Sequence, residues 1–442
     1  MGAVGSEGAR VPVCGADVLH PQSCKSLSDA VAADCECAWA HGWLGEMRVA
    51  MRNIGRILLA SKRWIALVVA ILLWISSAMA MAQAASSTEE PLVNDSHFHL
   101  TNYIQEGADI HEFLKIMGNK VGRVALFGIP LQQQWSHQNS GDLAPTYYLQ
   151  TDSPLYYYSF TDAYIAMTYR SLSKEEQARF EPMITGFNPT DMYAADHIRR
   201  VLQTFPGVFS GVGEFTIHKE FVSSKIAGET ADLQNRALDR ILDFSGEVGL
   251  VVIIHNDMDV PFPKQGAPPA YLDQMKALLK RHPDTRIIWA HTGLGRIVRP
   301  IKDHSANLAV ILSDPAFKNV YFDISWDEVA KYVVASPEAT KITADLINRF
   351  PDRFLFGTDE VAPTSQQSYL KVFYQYGPLW NLLTPEASEK VRKGNFARLF
   401  DEARPKVRAW EAAHKTALGA NSRPSEHIRT YLINQFQPVC SP

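Results

Sequence analysis

The chain has 442 residues, 46% of them hydrophobic and 20% charged, the composition of a globular protein with a sizeable core. A formal net charge of -4 and no Lys/Arg-rich block from residue 90 onward exclude the broad basic surface that nucleic-acid binding needs. A small-molecule substrate is the expected partner, with oligomeric state left open.

Residues 1–46 read as a non-native upstream extension, because Met47 or Met51 makes a better start for the basic and apolar segment after it. Cys14, Cys24, Cys35 and Cys37 lie there without a paired Cys-x2-Cys spacing, and only Cys440 lies further on, so no internal disulfide is expected. Arg48, Arg52, Arg56, Lys62 and Arg63 then precede an unbroken apolar run over 64–75, and Ala78-Met79-Ala80 and Ala82-Gln83-Ala84 come next. A basic segment, an apolar core and a small-x-small site form the order of a secretory signal. Residues 47–84 are therefore expected to be a signal peptide, which makes the mature protein periplasmic or secreted. The alternative is a retained anchor, with any membrane contact confined to 64–85.

From residue 90 onward, strand-like runs alternate with helical patterns, the mark of parallel β/α units. Strands are expected near 92–98, 121–129, 182–188, 207–216, 249–256, 285–291, 319–325 and 353–359. Amphipathic helices are expected over 232–247, 271–281 and 339–350. Eight strands within 88–415 predict an α/β fold, a (β/α)8 TIM barrel, with 416–442 as a C-terminal tail. The connection from Gln132 to about Phe180 is a long insertion after strand two. Its Trp135, Tyr147, Tyr148, Tyr156, Tyr157, Tyr158 and Tyr164 suit a lid or pocket wall better than a disordered segment.

The first strand ends in His97-Phe98-His99, and histidines two apart on a strand point the same way and can clasp one metal ion. Four later apolar runs each end in one polar residue: Glu214, His255, His291 and Asp359. The carboxyl ends of buried parallel strands are where barrel enzymes keep their chemistry, so these six residues are expected to form a metal centre.

Other residues near the mouth are weaker candidates. Arg296 follows strand six and has the fork to clamp a substrate carboxylate or phosphate, or else forms a local salt bridge. His218 and Lys219 follow Glu214 and can reach substrate from the strand-four loop. Asp323 ends strand seven, where a structural hydrogen bond to a neighbouring loop is expected. Asp257 and Asp259 are candidates to orient His255.

Together these residues resemble the metal-dependent amidohydrolase superfamily, in particular the amidohydrolase-related branch that includes metal-dependent decarboxylases and lactonases. The resemblance spans about 90–400. It rests on His97-x-His99, His255, His291 and Asp359, with Pro351-Asp352-Arg353-Phe354-Leu355-Phe356-Gly357-Thr358-Asp359 and Gly394-Asn395-Phe396-Ala397-Arg398-Leu399-Phe400. It implies that His97, His99 and Asp359 hold the first metal and that Asp359 takes the proton from the attacking water. At strand four, where many members carry a carboxylated lysine, Glu214 looks more like the bridging glutamate of TatD-like nucleases. His255 and His291 would then bind a second metal. In single-zinc decarboxylases the strand-six histidine acts on substrate instead, which leaves His291 two roles.

Neutral imidazole and carboxylates suit a divalent metal, zinc by default, at one or two ions per chain. The expected function is an exported metal-dependent hydrolase whose activated water attacks an amide, ester or lactone. The alternative is a metal-dependent non-oxidative decarboxylase of an aromatic or unsaturated carboxylic acid.

Overall fold

A computed structural model describes residues 91–101, 107–129, 160–219, 232–264, 266–301 and 303–415, the short pieces 225–226 and 229–230, and positions 71 and 74. The expected signal or anchor segment and the tail lie outside the described residues, apart from those two positions. No helix among the described residues is long and apolar enough to cross a membrane.

One parallel sheet organises residues 91–415. Its strands in chain order are β1 (Val93–His99), β2 (Val121–Phe127), β3 (Phe180–Ile184) and β4 (Gly211–Thr216). An antiparallel hairpin of β5 (Lys225–Ile226) and β6 (Glu229–Thr230) lies outside that sheet. The sheet continues with β7 (Val251–His255), β8 (Arg286–Trp289), β9 (Val320–Asp323), β10 (Phe354–Leu355) and β11 (Glu360–Val361). Strand order is β10-β9-β8-β7-β4-β3-β2-β1-β11. The two edges are thus neighbouring pieces of one chain segment, and the sheet closes on itself as a TIM barrel. Across the closure Ser96 N–H donates to the Phe356 carbonyl (3.0 Å) and Asp359 N–H to the His97 carbonyl (2.7 Å).

The eighth strand, expected as one run over 353–359, is therefore split. Asp95 fastens the seam: its carboxylate accepts from His97 N–H and Thr358 N–H at 2.9 Å each, from the Thr358 hydroxyl at 2.6 Å and from Tyr369 at 2.8 Å. Gly357 permits the close approach, since a Cβ there would fall 2.6 Å from His97 Cβ.

Strand alternation divides the core into two layers. On β7, Val252 and Ile254 pack outward against the helices, while Val251 and Ile253 face the barrel interior. The interior is closed from below by Phe396, Leu399, Phe400 and Ala403 of the helix Asn395–Ala413. Each fully buried aromatic or branched side chain contributes about 1.5–3 kcal/mol through removal from water. The same alternation puts His255 on the interior face at the strand's carboxyl end.

Helix boundaries follow local chemistry. The helix expected over 232–247 forms as Arg236–Val248, started by the Asn235 side chain accepting from Ala237 N–H and stopped by Gly249 at φ 84°. Pro337 in the first turn and the Ser336 cap begin Pro337–Arg349, just ahead of the expected start. The 271–281 helix forms as Leu272–Arg281. The insertion between β2 and β3 is present, and its described part carries the helix Thr161–Arg170. Residues 130–159, which hold Trp135, Tyr147, Tyr148, Tyr156, Tyr157 and Tyr158 of the expected lid, lie outside the described residues.

Candidate metal centre

The barrel brings together all six residues singled out as ligands. His97 and His99 leave β1 on its interior face, and the intervening Phe98 turns outward to stack on Phe113 at 3.9 Å between ring centroids. The imidazoles of His291 and His97 lie 4.9 Å apart, and those of His255 and His291 4.8 Å. All four histidines, Glu214 and Asp359 are buried or nearly so.

Glu214 stands between two ligand sets. Its Oε2 lies 3.6 Å from Nε2 of both His97 and His99. Its Oε1 lies 2.8 Å from His255 Nδ1 and 3.5 Å from His291 Nε2. Asp359 is divided in the same way, with Oδ1 at 3.2 and 3.0 Å from Nε2 of His97 and His99, and Oδ2 at 3.8 Å from His291 Nε2. His97, His99, Glu214 and Asp359 form one potential ion-holding group, and Glu214, His255 and His291 another, with the ligand atoms of each within 4.8 Å of one another.

Each imidazole turns one nitrogen to this centre and has the other fixed from behind. His97 Nδ1 lies 3.0 Å from Asp323 Oδ2, His99 Nδ1 3.2 Å from the Gly128 carbonyl, and His255 Nε2 3.1 Å from Asp257 Oδ1. These partners only accept, so the outward nitrogen carries a proton, and a divalent ion bound at the centre would take the lone pair of the inward one. His291 is held through a relay. The Ser325 hydroxyl donates to Asp323 Oδ1 in a short contact and accepts from His291 Nδ1 at 2.7 Å. Nε2 of His97 and His291 are buried with no hydrogen-bond partner, a costly arrangement that a cation taking both lone pairs relieves. The donor set therefore fits a divalent metal.

Electrostatics agree. Burial would raise the Glu214 carboxyl, but Lys219 and His97 hold it well below the usual carboxylate range. Burial likewise opposes ionisation of Asp359, and His97 and His99 overcome it. Burial lowers His291. For His97 burial pulls the same way but is outweighed by Asp359, Glu214 and Asp323, which push the imidazole well above its ordinary value. Several ionised carboxylates enclosed at such distances call for compensating cations.

Backbone conformation re-aims the strand ends. His291 (φ 55°), Thr292 (φ 55°), Trp326 (φ 76°) and Asp359 (φ 52°) all adopt the left-handed region that non-glycine residues seldom occupy. All four follow strands six, seven or eight, on the rim of the centre.

Three expectations need correction or refinement. Asp323 bonds to the backbone of the neighbouring turn after β8, as expected, and does more. It faces the interior at the end of β9, where its carboxylate accepts from His291 N–H (2.8 Å), Ser325 and His97. Asp259 does not touch His255 but accepts from Val260 N–H and Ala270 N–H, whereas Asp257 does hold His255. His218 stands apart from the ligands, stacked on Tyr271 at 3.8 Å with the rings 7° from parallel. Arg296 lies at the mouth with Nε 3.9 Å from Glu328, and its guanidinium 5.5 Å from the Trp326 ring, which Lys219 approaches at 4.9 Å. Sequence reasoning missed Ser325 and Trp326. Their only signal is adjacency to Asp323, in Asp323-Ile324-Ser325-Trp326.

Ser325→Ala is expected to lower metal affinity about 10- to 100-fold with the fold intact, because it frees His291 to turn and to change tautomer. Competition against a chelator measures this. Unchanged affinity would show that Ser325 does not set the His291 ring.

None of the curated proteins matches the chain. Among solved structures it is similar to a TIM-barrel protein from Bordetella bronchiseptica, at 15% identity over 70% of this chain and 99% of that one, with a TM-score of 0.43. A 2,6-dihydroxybenzoate decarboxylase from Rhizobium matches at 12% identity over 71% and 99%, TM-score 0.41. A dihydroorotase from Campylobacter jejuni matches at 13% over 70% and 83%, TM-score 0.41. The sequence profile of the amidohydrolase family matches residues 137–401, a span that includes Glu214, His255, His291 and Asp359 and begins beyond His97 and His99. With well over half its length in that match, the chain belongs to the amidohydrolase family.

Proposed function

We propose that the protein is a two-metal hydrolase that opens an amide, ester or lactone with activated water. The observation that carries this reading is the division of Glu214, one oxygen facing His97 and His99 and the other facing His255 and His291. A carboxylate so placed can span two cations unaided, in the manner of the TatD-like glutamate it resembles. Imidazoles and carboxylates favour zinc, and manganese or iron suits the same donors. When bound, such ions would activate water near neutral pH and polarise the carbonyl under attack.

The chain's own groups supply the proton transfers. Asp359 stays ionised despite burial, so it can accept the proton of the attacking water and return it to the leaving group. Asp323, Asp257, Ser325 and the Gly128 carbonyl keep the four rings oriented throughout.

Non-oxidative decarboxylation is the second reading, and His291 favours it. Its Nε2 lies 3.5 Å from Glu214 without a hydrogen bond, and its lowered proton affinity suits a group that acts on substrate. Assay of the metal-loaded enzyme against aryl esters, lactones, N-acyl amides and aromatic carboxylic acids separates the two. Hydrolysis without release of carbon dioxide is expected. Stoichiometric carbon dioxide from an acid, with no ester, lactone or amide turned over, would overturn the hydrolase reading.

A further inference from the structure

Between the outer wall of the barrel and the helices His304–Ser313, Asp327–Val333 and Pro337–Arg349 lies a cavity of about 320 Å³. Leu294, Ile301, Leu308, Ile324, Leu346 and Phe354 make its body apolar. Ile324 and Phe354 belong to the outward-packed layer of the core, so the strands separate this space from the barrel interior. An apolar cavity of about 150 Å³ stays dry and takes up benzene, so roughly twice that volume suits a two-ring molecule.

One imidazole gives the cavity polarity. His304 lines it with Nε2 3.0 Å from the Thr292 carbonyl, which only accepts, so Nε2 carries the proton. Burial lowers the proton affinity of this ring, so it stays neutral and Nδ1 keeps a lone pair. Three of the four lining hydroxyls already give their hydrogen to main-chain carbonyls, Thr292 to His291 (2.6 Å), Tyr332 to Arg296 (2.6 Å) and Thr343 to Ala339 (3.1 Å). Asp303, exposed among the lining residues, disfavours an anion. The site therefore matches an uncharged molecule that donates a hydrogen bond.

The same imidazole reaches the metal centre. Thr292 follows the ligand His291, and both sit at φ 55°, a conformation that persists only where the surroundings over-determine it. Every carbonyl of this turn accepts: that of His291 from Leu294 N–H (3.0 Å) and the Thr292 hydroxyl, that of Gly293 from Met258 N–H (2.7 Å), and that of Thr292 from His304. His304 is the one side chain among these donors that comes from outside the turn.

We propose that this cavity is a regulatory binding site for an uncharged apolar molecule of two-ring size bearing one hydroxyl, which donates to His304 Nδ1 and tightens the grip of Nε2 on the turn that presents His291. Donation into one ring nitrogen polarises the imidazole and strengthens the other as a donor. A better-held His291 binds its metal more tightly, and by linkage the metal raises affinity for the molecule by the same factor. His304 is a positioning residue, acting on the metal only through His291. The site lies outside the barrel interior and holds for either reaction considered above.

The test uses the full metal-loaded protein and equilibrium dialysis with 2-naphthol and naphthalene as probes. 2-Naphthol is expected to bind with a Kd of about 100 μM or tighter, and naphthalene about 3- to 10-fold more weakly for want of the hydrogen bond. Ala339→Phe and Ile342→Trp fill the cavity from one helix, the second at a position 47% exposed that can accept a larger side chain. Each should weaken 2-naphthol about 10-fold or more with native metal content. His304→Phe should erase the preference for 2-naphthol over naphthalene. Saturating 2-naphthol should tighten zinc about 5-fold in competition against a chelator, and should not do so in Ile342→Trp. Absence of binding, binding that survives both filling variants, or zinc affinity unmoved at saturation would overturn the proposal. None of these outcomes bears on which products the enzyme forms, so the hydrolase reading stands or falls separately.

Discussion

Asp359→Asn is expected to reduce turnover about 10²-fold or more, equivalent to about 2.7 kcal/mol of lost transition-state stabilisation, while metal content falls only modestly. Asparagine keeps the shape and one oxygen that can still approach a cation, but it cannot accept a proton. The backbone at this position is left-handed, at φ 52°, and asparagine tolerates that conformation better than most residues. Its N–H can still donate to the His97 carbonyl, so the seam between β1 and the split last strand should survive. Elemental analysis and steady-state kinetics on the same preparation separate loss of metal from loss of the base. Full activity would show that the proton goes elsewhere.

Glu214→Gln is the second large effect. The amide lacks the charge and the second anionic oxygen needed to bridge, so occupancy of the ion facing His255 and His291 should collapse while that facing His97 and His99 persists. His255→Ala should then resemble His291→Ala, since both remove ligands of the same ion. A single-metal enzyme behaves differently: Glu214→Gln leaves its ion in place, and His291→Ala abolishes activity without releasing metal. Dialysed variants titrated with zinc distinguish these patterns.

Glu214, His255, His291 and Asp359 were legible as candidates because each ends a buried apolar run, and His97 and His99 because they stand two apart on a strand. Val251-Val252-Ile253-Ile254 leaves little doubt where a strand lies, and His255 is conspicuous after it. Alternation then fixed the face on which His97 and His99 emerge. What could not be read was pairing across the barrel. Asp323 was visible as the end of a strand, but its partner His97 lies 226 positions away, and nothing local distinguishes an aspartate that braces a ligand from one that ties down a loop. Ser325 matters only because Asp323 and His291 meet on either side of it. The last strand looked continuous for the same reason: its two halves pair with β9 and β1, and only closure of the sheet reveals the break at Phe356-Gly357-Thr358-Asp359.

The most direct measurement is the metal content of the native protein, purified without added chelator, dialysed, and read by elemental analysis against protein concentration. Glu214 between two histidine pairs predicts about two divalent ions per chain, the weaker lost in Glu214→Gln. One ion per chain in the native protein, unchanged in that variant, would contradict the two-metal centre.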